Sequence, residues 1–496
     1  MLSRRPTGID IGITLLAAGL LVVNVAHHEM WHDEINAFAI ALHSPTLPAL
    51  FHNLHYEGHP SLWYLILWAA SAVSANPATA QVVHTGIVIL IYVMIGLVSP
   101  FSPLEKLLLL SGYFLGFEYA VLARNYSLGI LFALFYAELR SKRPDLIVLN
   151  ATLLGLLANT TVFGLMTSGA LACEYVADLI ARARRSGTPR YRSIAAGAAV
   201  YVVLIAACVL TIIPAPDIGE HGGAYLFHYA TKLWHLKLAT VSVVSLSFIP
   251  LDPNFPASYW IGMEPAMRRL WEIREVGLVL VVTALIAIFR KDLRLLIVVG
   301  ATGAAAALFC HLIYLSGIRQ TGIFFVAVLT ALWMQRVHRP RASWLVPVLL
   351  LCGSVAGIET QIGQWLRPFS NAQAAARFLN DRGLRYAGLI GVRDDWTIPV
   401  AQLLGRPIYG LDCQCTESFL RFDSSHDNNH GGQFAERLAR AVSEVQGPPI
   451  LIYDDPWGRR GDYGLESVGL RAVPIAEFHG AESGENYQIY RIESAW

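Results

Sequence analysis

The chain has 496 residues, of which 55% are hydrophobic and only 15% charged, and its mean hydropathy is +0.47. Soluble domains carry about 25% charged residues, so an ordinary soluble protein is excluded and a polytopic α-helical membrane protein is predicted. A formal net charge of +1 argues against a dedicated nucleic-acid binder.

The first predicted span runs from about Ile9 to Ala26, just long enough to cross a bilayer. Arg4 and Arg5 place its start in the cytoplasm. Val25-Ala26-His27-His28 is a weak cleavage site, so an uncleaved span is expected rather than a signal peptide. A polar stretch, Glu29 to Pro60, follows. It reads Glu29-Met-Trp-His-Asp33-Glu34, then two short amphipathic runs, then His55-Tyr-Glu57-Gly-His59-Pro60. His32, His43, His52, His55 and His59 lie in it, and no lysine or arginine occurs between Arg5 and Lys106. An acidic, histidine-rich loop without basic residues, placed after a first span, is where an exoplasmic active site is expected. Asp33 and Glu34 could instead simply cap the helix that follows, but a cap explains neither Glu57 nor His59.

The apolar run Ser61 to Val73 is short and carries Trp63, Tyr64 and Trp68, which suits an interfacial helix. With that run not crossing, spans alternate over 81–98, 106–122, 126–139, 146–158, 162–180, 194–213, 275–288, 295–315, 322–335 and 344–357. This register of about 11 transmembrane helices puts the clusters at 140–143, 182–192, 290–294 and 336–341 in the cytoplasm. The expected domains are a membrane domain over 1–358, with outer loops 27–80 and 214–271, and a C-terminal soluble α/β domain over 359–496. In the latter, helices are predicted at Ala372 to Asn380, Ile398 to Leu404 and Phe434 to Val445, and strands at Ala387 to Val392 and Pro449 to Tyr453. It lacks a glycine-rich phosphate fingerprint. Asp423 to Gly432 is a polar loop whose His426 and His430 could hold a metal or simply be solvated. Cys173, Cys208, Cys310 and Cys352 fall in apolar segments and read as core residues. Cys413 and Cys415 are separated by one residue, too close for an easy disulfide, and two thiols make a poor zinc site.

A sugar carried on a lipid phosphate would fit this layout. Displacement at its anomeric carbon needs no general acid, because phosphate already leaves well. It needs a carboxylate to take the acceptor's proton, and cations near the membrane surface to hold the phosphate. Asp33 and Glu34 supply the first. Arg124, in Ala123-Arg124-Asn125-Tyr126, and Arg319, in Gly317-Ile-Arg319-Gln320, fall at outer turns and could supply the second, or could be snorkelling interfacial arginines. His59 could bind phosphate or orient Glu57. His32, Asp33, Glu57 and His59 would also suit a divalent cation, although their spacing matches no defined metal motif.

The Asp-Glu pair after a first span, together with Glu57-Gly58-His59-Pro60-Ser-Leu-Trp63-Tyr64, resembles the class-C (GT-C) membrane glycosyltransferases. The pattern is closest to the family 39 type of the protein O-mannosyltransferases and lipid A aminoarabinose transferases. The resemblance covers about Met1 to Gly357 and implies an enzyme that transfers a sugar from a polyprenyl-phosphate donor to a glycan, lipid or protein acceptor. It implies Asp33 as the catalytic carboxylate with Glu34 beside it, and a donor site to which Glu57, His59, Arg124, Tyr126 and Arg319 are assigned. No cofactor is assigned, and a divalent cation is left open. The expected location is the cell membrane, with the N-terminus cytoplasmic and the C-terminal domain exoplasmic. A transporter or flippase of lipid-linked saccharides would instead need charges deep inside the spans and an inverted repeat. A polysaccharide polymerase would share the lipid-phosphate site.

Overall fold

The computed structural model describes residues 5–186, 191–218, 233–250, 264–313, 317–339, 343–426, 433–454 and 464–495. Within them the chain is mostly helical and ends in a small mixed sheet. Seven helices are long and apolar enough to cross a membrane: Gly8–His27, Ala78–Val98, Val162–Arg185, Tyr191–Ile212, Leu293–Leu312, Ile318–His338 and Leu345–Leu366.

The first of these, α1 (Gly8–His27), starts at a reciprocal cap. Asp10 N–H donates to the Thr7 hydroxyl, and Thr7 N–H donates to the Asp10 carboxylate. Its Leu15, Leu16, Leu20, Val22 and Val23 are exposed, an apolar face that suits lipid. The Ile318–His338 helix is the opposite case: 82% of its apolar window is buried, which makes it the centre of the bundle.

The other four expected crossings are short or interrupted. The 106–122 segment is the helix Pro103–Leu110, a break, and a π-helical turn over Tyr113–Glu118. Ile147–Ala158 has 12 residues, about 18 Å of helix. Tyr126–Lys142 is buried among its neighbours, and the apolar part of Glu264–Phe289 is Glu275–Phe289. Two buried ion pairs fix the start of the interrupted segment. Lys106 Nζ lies 2.7 Å from Asp10 Oδ1, and Arg336 Nη2 lies 2.5 Å from Glu105 Oε1.

The Glu29 to Pro60 stretch folds into α2 (His32–Leu42) and α3 (Leu47–Leu54), followed by α4 (Leu62–Ser71) and then α5 (Ala78–Val93). At 10 residues, α4 is about 15 Å long, half the hydrocarbon thickness. The loop has a core of its own, with Phe38, Leu50, Leu54, Trp63, Tyr64 and Leu67 packed together. That core, rather than the bilayer, holds the loop in shape.

At the C-terminal end the composition break at Glu359 falls inside a continuous helix, Leu345–Leu366, so the structural boundary lies after Leu366 and not at 358. The sheet that follows has the order β3-β2-β1-β4-β6-β5. Its strands are β1 (Gly388–Val392), β2 (Ile408–Gly410), β3 (Cys415–Glu417), β4 (Pro449–Asp454), β5 (Leu470–Phe478) and β6 (Tyr487–Ser494). Strand β1 pairs in parallel with β2 and β4, and the outer pairings are antiparallel. The helices Ala372–Asp381, Asp394–Leu403 and Phe434–Glu444 cover it. Strands β2, β3, β5 and β6 go beyond the two strands expected. Cys413 and Cys415 form a disulfide, against the expectation that they are too close for an easy one. The bridge closes at the turn entering β3, where the chain reverses and brings the two Cα atoms within 5.2 Å. His430 of the polar loop, and much of the loop expected over 214–271, lie outside the described residues.

Candidate functional site

The first turn of α2 places Asp33 where three segments meet. Arg124 comes from the turn before the Tyr126–Lys142 helix, and Arg319 from the short turn Ile318–Thr321. Both guanidiniums face the same oxygen. Arg319 Nη1 is 2.5 Å and Arg124 Nη2 is 3.7 Å from Asp33 Oδ2, and Arg124 also donates to the Asp33 backbone carbonyl. The Arg319 guanidinium lies over the Trp31 ring at 4.7 Å. Burial alone would push the Asp33 carboxyl up. The charges of Arg124 and Arg319 outweigh it and hold the group well below the usual carboxylate range.

Two aromatic residues brace the cations. Tyr119 and Tyr126 stack at 5.1 Å, and the Tyr119 hydroxyl donates to the Arg319 carbonyl. Tyr126 thus stands behind the arginine pair, buried.

His59 Nε2 is 3.4 Å from Arg124 Nη2. A guanidinium only donates, so this nitrogen is the acceptor and the ring is neutral. Burial, helped by the Arg124 charge, pushes its pKa down to about 3. Glu57 sits across a turn made possible by Gly58, whose φ of 64° disfavours side chains. It accepts from the Tyr64 hydroxyl at 2.8 Å and from Asn36 Nδ2 at 3.4 Å. Burial pushes Glu57 up to about 7, against the Tyr64 bond and the Arg124 charge.

His32 points the other way, into the C-terminal domain. Its Nδ1 is 2.7 Å from Glu485 Oε1, its backbone N–H donates to the same oxygen at 2.6 Å, and its Nε2 is 3.5 Å from Asp33 Oδ1. Burial opposes charge on this ring, but Asp33 and Glu485 prevail and raise its pKa above the usual histidine value. Ser370 donates to the other Glu485 oxygen. Glu485 therefore ties the sheet domain to the first turn of α2, a role that nothing in its local sequence announces.

Glu34 does not share the cleft. It is fully buried, its Oε1 accepts from Ala123 N–H at 2.5 Å, and its Oε2 meets His28 Nε2 at 2.8 Å and Trp31 N–H at 3.3 Å. It braces the turn that carries Arg124. Nor do His32, Asp33, Glu57 and His59 converge as a cation cage: the space between Asp33 and His59 is held by Arg124. Among the described residues, the group of histidine, cysteine and acidic side chains close enough to hold a metal is Asp394, Cys413, Glu417 and His426 in the sheet domain.

The arrangement offers two fixed cations, one carboxylate between them, a neutral imidazole and a second carboxyl poised near neutrality. Such a set can bind an anion and accept a proton beside it. The sequence matches no family model and no curated protein.

Proposed function

We propose that the protein is a membrane glycosyltransferase that takes a sugar from a polyprenyl-phosphate donor and passes it to an acceptor hydroxyl at the exoplasmic face of the membrane. The observation that carries this reading is the convergence of Arg124 and Arg319, from separate segments, on the single oxygen Asp33 Oδ2. Here Asp33 stands where a phosphate oxygen would bind. When donor phosphate engages the guanidiniums, Asp33 is relieved of them, its proton affinity rises, and it faces the acceptor. The acceptor oxygen then bonds to the anomeric carbon as the bond from that carbon to the phosphate oxygen breaks. The bonding pair leaves with the phosphate, and the acceptor proton passes to Asp33. Glu34 is a positioning residue for Arg124, and His59, Glu57, Tyr64 and Tyr126 shape the sugar side of the cleft.

The four shorter segments complete eleven crossings in this reading, with the N-terminus cytoplasmic and the sheet domain exoplasmic. Two observations support that orientation. Arg140, Arg182 and Arg294 gather around Glu174 and Asp178, so three basic clusters share one end of the bundle, as cytoplasmic charges do. The Cys413–Cys415 disulfide suits an oxidising compartment.

One feature favours a second assignment of the base: Glu57 is already pushed up to about 7, the range in which a general base works best. The overall reading is tested with membranes containing the full chain and a panel of radiolabelled prenyl-phosphate sugars. Transfer of label from one of them, abolished by the Arg319→Ala change, is expected. Absence of transfer from every donor, with the protein folded, would overturn it.

A further inference from the structure

A second charged cluster, in the sheet domain, is not used by the glycosyl-transfer reading. Asp394 opens the Asp394–Leu403 helix, Glu417 ends β3, and His426 follows on the segment after it. His426 Nε2 lies 3.1 Å from Glu417 Oε2 and 3.9 Å from Asp394 Oδ2. The Asp394 side chain is 1% exposed and the Glu417 side chain 9% exposed.

Two acids this close inside a protein repel each other and lose hydration, and burial pushes both of their pKa values up. Asp394 is partly compensated, accepting from Asp412 N–H at 3.3 Å and Cys413 N–H at 3.0 Å. Glu417 Oε1 is not: it is buried and has no hydrogen-bond partner among the described residues. Its direction is fixed by Gly410. A Cβ added there would meet Asp394 Oδ2 at 2.4 Å and Glu417 Oε1 at 2.8 Å, so both oxygens lean over the same bare backbone position. An unpartnered carboxylate oxygen, a second carboxylate and an imidazole nitrogen thus face one point.

We propose that Asp394, Glu417 and His426 bind a divalent cation of the zinc class. Mixed imidazole and carboxylate donors select such an ion over calcium or magnesium, which prefer all-oxygen sites. The outer side of the histidine is arranged as metal-bound histidines usually are: His426 Nδ1 lies 3.2 Å from Asp423 Oδ1, leaving Nε2 as the ligand atom. Cys413 Sγ is near the same point but is committed to its disulfide with Cys415. The bridge instead pins the turn that leads into Glu417. Three protein ligands leave a position for water.

The site is also linked to the first loop. Ser424 N–H donates to the Asp217 carbonyl, and the Tyr56 hydroxyl donates to the Asp217 carboxylate, both at 2.8 Å. Leu420 N–H donates to Asn36 Oδ1 at 2.8 Å, and Asn36 also holds Glu57. A cation would therefore stiffen the 417–426 segment where it seals the candidate site.

The test uses the full chain in detergent, stripped with chelator and titrated with ZnCl2, with bound metal read by elemental analysis. One Zn2+ per chain is expected, with apparent affinity at least about tenfold weaker in Glu417→Gln and in His426→Gln. Zinc should raise the unfolding temperature of the wild type, and Glu417→Gln should lose most of that rise. Should a variant fail to fold, Co2+ titrated into wild-type protein must give visible absorption bands that Zn2+ abolishes. No zinc retained by the wild type, no cobalt bands, or unchanged affinity in a folded Glu417→Gln would overturn the proposal and leave Asp394 and Glu417 as a pair sharing a proton.

Discussion

The two charged clusters of this protein are built on opposite plans. Around Asp33, two guanidiniums meet one carboxylate oxygen. Around Glu417, two carboxylates and an imidazole meet, and one oxygen has no partner among the described residues. A buried charge is tolerated when something neutralises it, so the sign left over in each cluster tells what it is suited to receive. The first suits an anion and the second a cation. Position agrees with this division. Arg124 and Arg319 sit at turns next to apolar helices, where a lipid phosphate would reach them, whereas Asp394 and Glu417 lie in a sheet domain.

The largest effect is expected at Asp33, where a proton acceptor and a mere counterion behave differently. Asparagine keeps its shape and caps a helix about as well but cannot take a proton. Turnover in Asp33→Asn should fall by about 10²–10⁴-fold, measured with labelled donor, while expression holds. Near-wild-type turnover would reduce Asp33 to a placeholder and move the base to Glu57.

A smaller effect sharpens the same contrast by pH. Glu57 is raised from 4.5 to about 7 in the folded protein. The folded state therefore holds this proton more tightly than the unfolded chain, and the associated stability is present below about pH 4.5 and lost as pH rises through about 7. Between about pH 5 and about pH 8 the wild type should lose thermal stability relative to Glu57→Gln. Parallel melting profiles would place Glu57 in a more solvated setting than its partners imply.

Much of the scaffold could be read from residue order, because long apolar runs and basic span ends are local signals. Each of the seven long helices overlaps an expected span. The interrupted 103–118 region is harder to read: only Ser111 and Gly112 part its two apolar runs, and packing there is close, where a Cβ on Gly112 would meet the Leu108 carbonyl at 3.0 Å. In the sheet, Tyr487-Gln-Ile-Tyr-Arg-Ile is rich in aromatic and β-branched residues, the composition of a strand, and so marks β6. Strands β2 and β3, at three residues each, carry too little pattern.

In the site, Arg124 and Arg319 stand out as cations at outer turns and Asp33 by its place after the first span, and the three lie together. Glu34 shows the limit of that logic. It adjoins Asp33 in sequence, yet successive residues on a helix point about 100° apart, and this one turns into the core. Glu485 was invisible for a different reason: its partner His32 is 453 residues away, and pairing over such a distance leaves no local trace.

In the proposed function, Arg124 and Arg319 form a phosphate site which Asp33 fills when the donor is absent. This is tested most directly by binding of a sugar-free prenyl phosphate to the full chain in lipid nanodiscs. Arg319→Ala, at a partly exposed position, should bind about tenfold to a hundredfold more weakly, and Arg124→Ala likewise where it folds, since each removes a charge-assisted bond. Asp33→Asn, which frees both guanidiniums, should bind at least as tightly as the wild type. Equal affinity in the wild type and Arg319→Ala, or a loss in Asp33→Asn, would rule out a phosphate site at these arginines.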